Sequence, residues 1–139
     1  MTDAGNHDSL RAAALRAVQS AYAPYSRFRV GAALRAADGR VFTGCNVENA
    51  SYGGAICAER GAVMAAVAAG AREFTDIVVA TEAGEPTPPC GLCRQFLVEF
   101  APRLTVTSVT SGGAVARWTL ADLLPHAFTP AALHRAGAP

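Results

Sequence analysis

Three cysteines of this sequence have the types and spacing of a metal site. Cys90 and Cys93 lie three residues apart at the predicted start of a helix, so both sulfurs could reach one ion. Cys57 stands at the predicted start of an earlier helix, and the positive end of a helix stabilises a thiolate. Three protein ligands leave one coordination position open, as in catalytic zinc sites, whereas structural zinc sites are closed by four.

Cys45, the fourth cysteine, separates a catalytic zinc site from a structural one. It ends a predicted strand, where we expect a small, buried, apolar-like side chain. If all four cysteines bound the metal, the chain would be a zinc-stabilised interaction module instead. The cysteines could also form a redox dithiol or two disulfides, but no export signal is visible and Cys57 would have no part in a lone Cys-x-x-Cys motif.

Glu59 follows Cys57 by two positions, in the first turn of the predicted helix. It could be an ordinary first-turn glutamate that is stabilised by the helix dipole. Zinc deaminases of nucleobases, however, combine a ligand-x-Glu element with a later Pro-Cys-x-x-Cys, and their glutamate moves protons without binding the metal. Together with the three cysteines, this pattern favours Glu59 as the general acid and base.

The elements that must position these residues follow from hydrophobic periodicity and from turn residues. We expect a fraying start and tail at residues 1–7 and 136–139, a first helix capped by Ser9, a two-residue hairpin turn at Asp38-Gly39 and a loop over 46–54. The helices and strands are predicted at 9–23, 30–34, 41–45, 57–69, 76–81, 91–100, 104–109 and 114–119, with a short helical turn at 120–124.

Alternation of these helices and strands predicts an α/β fold, a three-layer α/β/α sandwich around a mixed five-stranded sheet, in one domain over residues 1–139. The formal charge of +1 is spread along the chain, so no basic footprint for nucleic acid or an anionic membrane is visible. No apolar run approaches the roughly 20 residues of a membrane span, and the polar start lacks a signal-peptide pattern. We therefore expect a cytoplasmic protein without nucleic-acid or membrane partners.

Several local motifs resemble the cytidine deaminase family, in its short-chain, three-cysteine, homotetrameric branch. The resemblance covers nearly the whole chain. Its motifs are CAER at 57–60, PCGLCRQ at 89–95, YSRF at 25–28, VGAA at 30–33, GCNVENA at 44–50 and LLPHAF at 123–128.

This resemblance implies a fold of the cytidine deaminase type and a role for individual residues. Cys57, Cys90 and Cys93 would bind one Zn²⁺ per chain, and Glu59 would be catalytic and contact N3 of the base. The substrate-binding residues would be Asn46 and Glu48 on the ribose 3′-hydroxyl, the backbone N–H of Ala58 on the base carbonyl, Phe28 and Tyr52 on the pocket wall, and Phe128 over the base of a neighbouring subunit in a homotetramer.

The reaction implied is hydrolytic deamination of free cytidine and deoxycytidine to uridine and deoxyuridine, with release of ammonia, in pyrimidine salvage. We expect Arg60 to tune the metal from outside its coordination shell, because three thiolates on Zn²⁺ leave a net charge of about −1 that a nearby cation would offset. A deaminase of a related aminonucleoside, such as a blasticidin-type antibiotic, stays open. A nucleotide or polynucleotide substrate would need a basic groove, which the balanced charge does not indicate.

Overall fold

A computed structural model describes residues 3–135, and within them the predicted strands form one sheet. Short segments join the helices and strands, and a 3₁₀ turn spans Tyr52–Gly54. The elements in chain order are α1 (Asp3–Val18), β1 (Val30–Ala36), β2 (Val41–Cys45), α2 (Ala58–Ala68), β3 (Phe74–Thr81), α3 (Gly91–Val98), β4 (Thr105–Thr110), β5 (Val115–Thr119), α4 (Leu120–Leu123) and α5 (Pro130–Arg135).

The sheet has the strand order β2-β1-β3-β4-β5. β3 and β4 are parallel, and the other neighbouring pairs are antiparallel. Helix α1 packs on one face of the sheet, while α2 packs on the other and contacts α3, which in turn contacts α4. This arrangement confirms the predicted α/β/α sandwich around a mixed five-stranded sheet.

Each face of the sheet has its own apolar core, because successive side chains of a strand point to opposite faces. In β1, Ala32 and Leu34 join the core under α2, whereas Ala33 joins the core under α1. In β3, Ile77 and Val78 divide in the same way. The unbroken apolar run in β3 is therefore typical of a strand that is covered on both sides.

Two glycines let the helices approach the sheet more closely than a larger residue would allow. A Cβ atom on Gly31 would lie 2.3 Å from the carbonyl oxygen of Ala14 in α1, and one on Gly44 would lie 2.3 Å from the carbonyl oxygen of Ala58 in α2. Both contacts are with helix backbone, which cannot turn aside as a side chain can. Gly44 thus sets the distance between β2 and the start of α2, where Cys57 and Glu59 lie.

Three sequence expectations about the first half of the chain are wrong. Helix α1 begins at Asp3, so residues 3–7 are helical and not frayed, and Ser9 lies inside the helix, where its hydroxyl donates to the carbonyl of Asn6. The β1–β2 turn has three residues, 37–39, because the Ala36 N–H donates to the Arg40 carbonyl across it, with Gly39 at φ 94°. The expected tail at 136–139 lies outside the described residues.

Helix α1 ends at Val18, five residues before its predicted end at 23, and the Tyr22 N–H donates to the Asn46 carbonyl instead of bonding within the helix. The other boundaries differ from the prediction by one or two residues, as where β3 begins at Phe74 and where α3 ends at Val98. Helix α5 is an addition to the predicted elements, although Pro130 at its first position is a common helix start.

None of the helices within residues 3–135 combines the length and apolar content that crossing a bilayer would require.

Gly44→Ala should destabilise the protein strongly, because the new methyl group would overlap the backbone of α2. We expect the free energy of unfolding to fall by about 3 kcal/mol or more, at the upper end of overpacking costs. Thermal melting followed by circular dichroism measures the change. The matched control is Gly84→Ala, where a Cβ atom meets nothing within 4 Å; equal melting temperatures for the two variants would contradict the close-packing argument.

Candidate active site

The N-termini of two helices hold the cysteines of the predicted metal site. Cys57 is the N-cap residue of α2 and Cys90 is the N-cap residue of α3, both with extended backbone (φ −73° and −67°). Cys93 lies in the first turn of α3 and is fully buried. Neither N-cap side chain makes a capping hydrogen bond, so the sulfurs are available for another partner beside the positive helix ends.

The three sulfurs have the spacing of a shared metal ion. They all lie within 4.8 Å of one another, and Cys57 Sγ is 3.9 Å from Cys90 Sγ. A tetrahedral zinc ion with Zn–S bonds of about 2.3 Å requires sulfurs about 3.8 Å apart. Three thiolates are also a donor set that zinc prefers. The residues present therefore fit a zinc ion, and Cys45, which is half-buried at the end of β2, is outside the group.

The thiols share protons unequally. A hydrogen bond from the Cys93 thiol is the main cause that lowers the pKa of Cys57 to about 5, and hydrogen bonds from Arg60 and Cys90 add to it. The same contact and burial raise the pKa of Cys93. The Cys57 sulfur thus loses its proton more readily than the Cys93 sulfur, and metal binding would replace the shared protons with a divalent cation.

Arg60 contacts the cluster from α2, one turn after Cys57. Its Nη2 lies 3.7 Å from Cys57 Sγ and donates to the Ala55 carbonyl at 3.3 Å. Its Nε is buried without a hydrogen-bond partner among the described residues. Burial by itself would lower the pKa of Arg60, but the hydrogen bonds and negative charge of Cys57 and Cys93 together raise it. The structure thus places a permanent cation against the Cys57 sulfur.

Glu59 is a buried carboxyl group in the first turn of α2, with 5% of its surface exposed. Burial is the main cause that raises its pKa to about 7, and the negative charge of Cys57 adds to the effect. A carboxyl group with a pKa near neutrality both accepts and releases a proton at physiological pH. Burial beside the sulfur cluster thus distinguishes Glu59 from an ordinary exposed first-turn glutamate.

A cavity of about 250 Å³ connects Glu59 with the sulfur cluster and with most of the predicted substrate-binding residues. Its wall includes Cys57, Cys90 and Glu59. Four predicted substrate-binding residues also line it, namely Phe28, Asn46, Glu48 and Ala58.

Two predicted substrate-binding residues, Tyr52 and Phe128, lie outside this cavity. Tyr52 lines an adjoining cavity of about 320 Å³, which shares Ser26 and Glu48 with the first. Tyr52 is 79% exposed, and its ring packs edge-on against Tyr25. Phe128 lines neither cavity and is 56% exposed, with its carbonyl accepting from the Gln95 side chain at 2.7 Å.

Asn46 and Glu48 also hold the segment that forms one wall of the cavity. Asn46 Oδ1 accepts from the Val30 N–H at 2.8 Å, and its Nδ2 donates to the Phe28 carbonyl at 2.7 Å. Glu48 accepts hydrogen bonds from the backbone of Tyr25 and Ser26 and from the Ser26 hydroxyl, and these bonds lower its pKa. Each side chain keeps capacity for at least one further partner.

Sequence reasoning missed five residues that line the cavity: Ser26, Val30, Val79, Thr87 and Pro88. Thr87 and Pro88 precede Cys90 by three and two positions, so their closeness to the metal site was readable from the chain. Val79 comes from β3 and reaches the cavity only because the sheet brings the end of that strand beside α2. Its pattern in the sequence is that of a core residue alone.

A larger cavity, of about 670 Å³, lies at the opposite end of β3, near the start of α1. It contains Arg35 and Arg117, whose charges are balanced by Asp8 and Asp76, and it has neither a cysteine nor a buried carboxyl group. The smaller cavity is therefore the candidate active site, because two cysteines of the sulfur cluster and the buried carboxyl group line it.

Comparison with known proteins points to one family. Residues 5–109 match the cytidine and deoxycytidylate deaminase zinc-binding region. A cytidine deaminase of Halalkalibacterium halodurans is 46% identical over 117 residues, covering 84% of this chain and 89% of that protein. One of Mycobacterium tuberculosis is 44% identical over 119 residues, with 86% of each chain covered. The crystal structure of cytidine deaminase from Burkholderia pseudomallei superposes with a TM-score of 0.85 at 50% identity, covering 92% of this chain and 100% of that one.

The cysteines give a direct test of the metal site. Cys93→Ser should lose zinc, because it removes one of three converging sulfurs, whereas the matched control Cys45→Ser removes a sulfur outside the group. We expect about one zinc per chain in the wild type and in Cys45→Ser, and well under half of that in Cys93→Ser after gel filtration with a chelator. Elemental analysis provides the ratio. Loss of zinc from Cys45→Ser would indicate a structural site closed by four cysteines.

Proposed function

Since the chain belongs to the cytidine and deoxycytidylate deaminase family, we propose that it converts free cytidine and deoxycytidine to uridine and deoxyuridine by hydrolysis, with release of ammonia. One observation carries this proposal. The buried carboxyl group of Glu59 lies in the same cavity as two sulfurs of a cluster that fits zinc. A general acid and base beside an open-sided metal site is what hydrolytic removal of an amino group needs.

Glu59 moves the protons of this reaction. Zinc, when held by Cys57, Cys90 and Cys93, supplies a Lewis acid that lowers the pKa of a water molecule towards about 7. The Glu59 carboxylate accepts a proton from the attacking water and delivers it to N3 of the base, which makes C4 more electrophilic. A second proton passes through the same carboxyl group to the leaving amino group. Its pKa of about 7 suits both directions of transfer.

The substrate is held by groups on both walls of the cavity. The Ala58 N–H belongs to the first turn of α2, where backbone donors have no partner within the helix, and it would bind the base carbonyl. Phe28 would pack on the base, and the remaining hydrogen-bonding capacity of Asn46 and Glu48 would bind the ribose 3′-hydroxyl. Comparing kcat/KM for cytidine, deoxycytidine and an aminonucleoside antibiotic tests these contacts. If the sugar 3′-hydroxyl is bound in this way, kcat/KM should be higher for cytidine and deoxycytidine than for the antibiotic.

Arg60 would withdraw negative charge from the sulfur cluster without touching the substrate. Its hydrogen bond to Cys57 Sγ reduces the charge that the thiolate donates to the metal. We expect Arg60→Gln to lower kcat by about tenfold or more and to change KM less, with Arg60→Lys intermediate because it lacks the planar fork of donors. Steady-state kinetics would refute this role if kcat of Arg60→Gln equalled that of the wild type.

We also propose that the chain is one domain over residues 1–139 and acts as a homotetramer in pyrimidine salvage. The single sheet supports the first point. Exposure of Tyr52 and Phe128 supports the second, because a neighbouring chain that covered these residues would bury apolar surface. A cytoplasmic location would keep the metal-binding thiols reduced, and cell fractionation tests it.

Glu59→Gln tests the proton-transfer role. The amide fills the same space and leaves the three sulfurs in place, but it does not accept a proton. We expect the zinc content and the melting temperature to be retained, while kcat falls by about 10²- to 10⁴-fold, the range of general acid–base contributions.

Loss of cytosine absorbance on incubation with cytidine measures turnover. Glu73→Gln is the matched control, since Glu73 is exposed and outside the cavity. Turnover of Glu59→Gln within about tenfold of the wild type would mean that another group is the base.

Mixed subunits test whether Phe128 acts on a neighbouring site. Phe128→Ala and Glu59→Gln should each be nearly inactive alone. In a mixed tetramer, however, the intact Glu59 of one chain would meet the intact Phe128 of another. We expect co-expression to restore a measurable fraction of wild-type turnover, in particles that light scattering sizes as four chains. If mixing restores nothing although both variants assemble, Phe128 serves its own chain or no site at all.

A further inference from the structure

An ion pair joins the two walls of the active-site cavity at its rim. Arg29 Nε donates to Glu82 Oε1 at 2.9 Å, and Arg29 Nη2 donates to Glu82 Oε2 at 2.8 Å. This paired geometry matches the planar guanidinium to the planar carboxylate and fixes their relative orientation. The two side chains are 36% and 45% exposed, so the pair faces solvent and not the core.

The positions of the two residues explain what the pair connects. Val30 and Thr81 are the last paired residues of the β1–β3 ladder at this end, so Arg29 and Glu82 stand opposite each other one step beyond it. Arg29 lies between Phe28 and Val30, which both line the cavity. Glu82 begins the segment that carries the cavity residues Thr87 and Pro88 to Cys90.

Residues 25–30 form one wall of the cavity, called here the Phe28 wall. This wall needs such an anchor because its backbone is strained. Arg27 is the one non-glycine residue in the described part of the chain with a left-handed backbone, at φ 59°. This conformation is unfavourable for a residue with a side chain and persists only where its surroundings hold it. On the β2 side, Asn46 bonds to Phe28 and Val30, and the Ser26 hydroxyl accepts from the Phe28 N–H at 3.0 Å. On the β3 side, the side-chain anchor is the bond from Arg29 to Glu82.

We propose that the Arg29–Glu82 ion pair is a positioning bridge that sets the distance between the Phe28 wall and the Thr87–Pro88 wall of the cavity, and so controls how tightly the nucleoside is held. The inference rests on the proposed function, since it concerns the same cavity. Neither residue touches the reacting atoms. The bridge therefore affects binding in the ground state and the transition state alike, which changes KM and leaves kcat nearly constant.

Single and paired substitutions test the bridge. Arg29→Gln and Glu82→Gln each remove one charge, and Arg29→Glu combined with Glu82→Arg reverses the pair. Because exposed ion pairs are weak, we expect each single variant to raise KM for cytidine by about three- to fivefold with kcat within about twofold of the wild type. Arg29→Glu alone and Glu82→Arg alone, the two single reversals, should each raise KM. The double variant, which restores an ion pair of opposite orientation, should have a KM within about twofold of the wild type.

The control is a second arginine–carboxylate pair, Arg40 with Asp38, which is 47% and 54% exposed. It lies in the turn at the other end of β1, away from the cavity, so Arg40→Gln should leave KM unchanged.

Salt provides an independent measurement. About 1 M KCl should raise the KM of the wild type towards that of Arg29→Gln. The KM of Arg29→Gln should change less, because salt screens an ion pair that this variant lacks.

The outcomes separate this inference from the proposed function. If the zinc-loaded wild type does not deaminate cytidine, the proposed function fails. If the wild type is active and both single variants keep its KM, the bridge is overturned. It is also overturned if the reversed pair shows a KM no better than the single reversals, since the two residues would then act separately.

Discussion

The convergence of three sulfurs from two helix starts is the constraint on which the rest of the site depends. Cys57 and Cys90 are far apart in the chain, yet their sulfurs lie 3.9 Å apart because α2 and α3 begin at the same edge of the sheet. That edge is where the parallel strands β3 and β4 end, the usual place for sites in α/β sheets. Gly44 contributes by letting the first turn of α2 pack against β2 without an intervening side chain. Glu59 is buried as a consequence of this close packing.

The cavity has a rigid floor and a wall that depends on side-chain bonds. The floor consists of helix starts and strand ends, whose backbone bonds are made within the sheet and helices. The wall at residues 25–30 has no such ladder before Val30, and it is held by Asn46, Glu48 and Glu82. Asn46 and Glu48 thus hold the wall in place by bonds to their own chain, in addition to the contact with the sugar that we propose for them. A substitution at either position would alter the shape of the wall as well as that proposed contact.

Much of this arrangement is readable from the sequence, because local patterns determine it. The periodicity of β3, the Gly70 that ends α2 at φ 93° and the cysteines at helix starts are signals within a few residues of one another. The start of α1 differs from the prediction because Ser9 has the chemistry of an N-cap, yet its hydroxyl bonds to Asn6 within the helix. Val79 and the Arg29–Glu82 pair leave no local signal, since strand register alone brings these residues to the cavity. The resemblance to a known family, and not periodicity, identified Phe28 and Asn46.

In the proposed site, three thiolates hold the zinc and leave one coordination position for the reaction. X-ray absorption at the zinc edge of the purified wild-type protein tests this coordination, because it counts sulfur and lighter neighbours separately. We expect three sulfurs at about 2.3 Å and one oxygen or nitrogen at about 2.0 Å. Four sulfurs, with no lighter neighbour, would mean that Cys45 or another thiol closes the site, and the catalytic interpretation would be wrong.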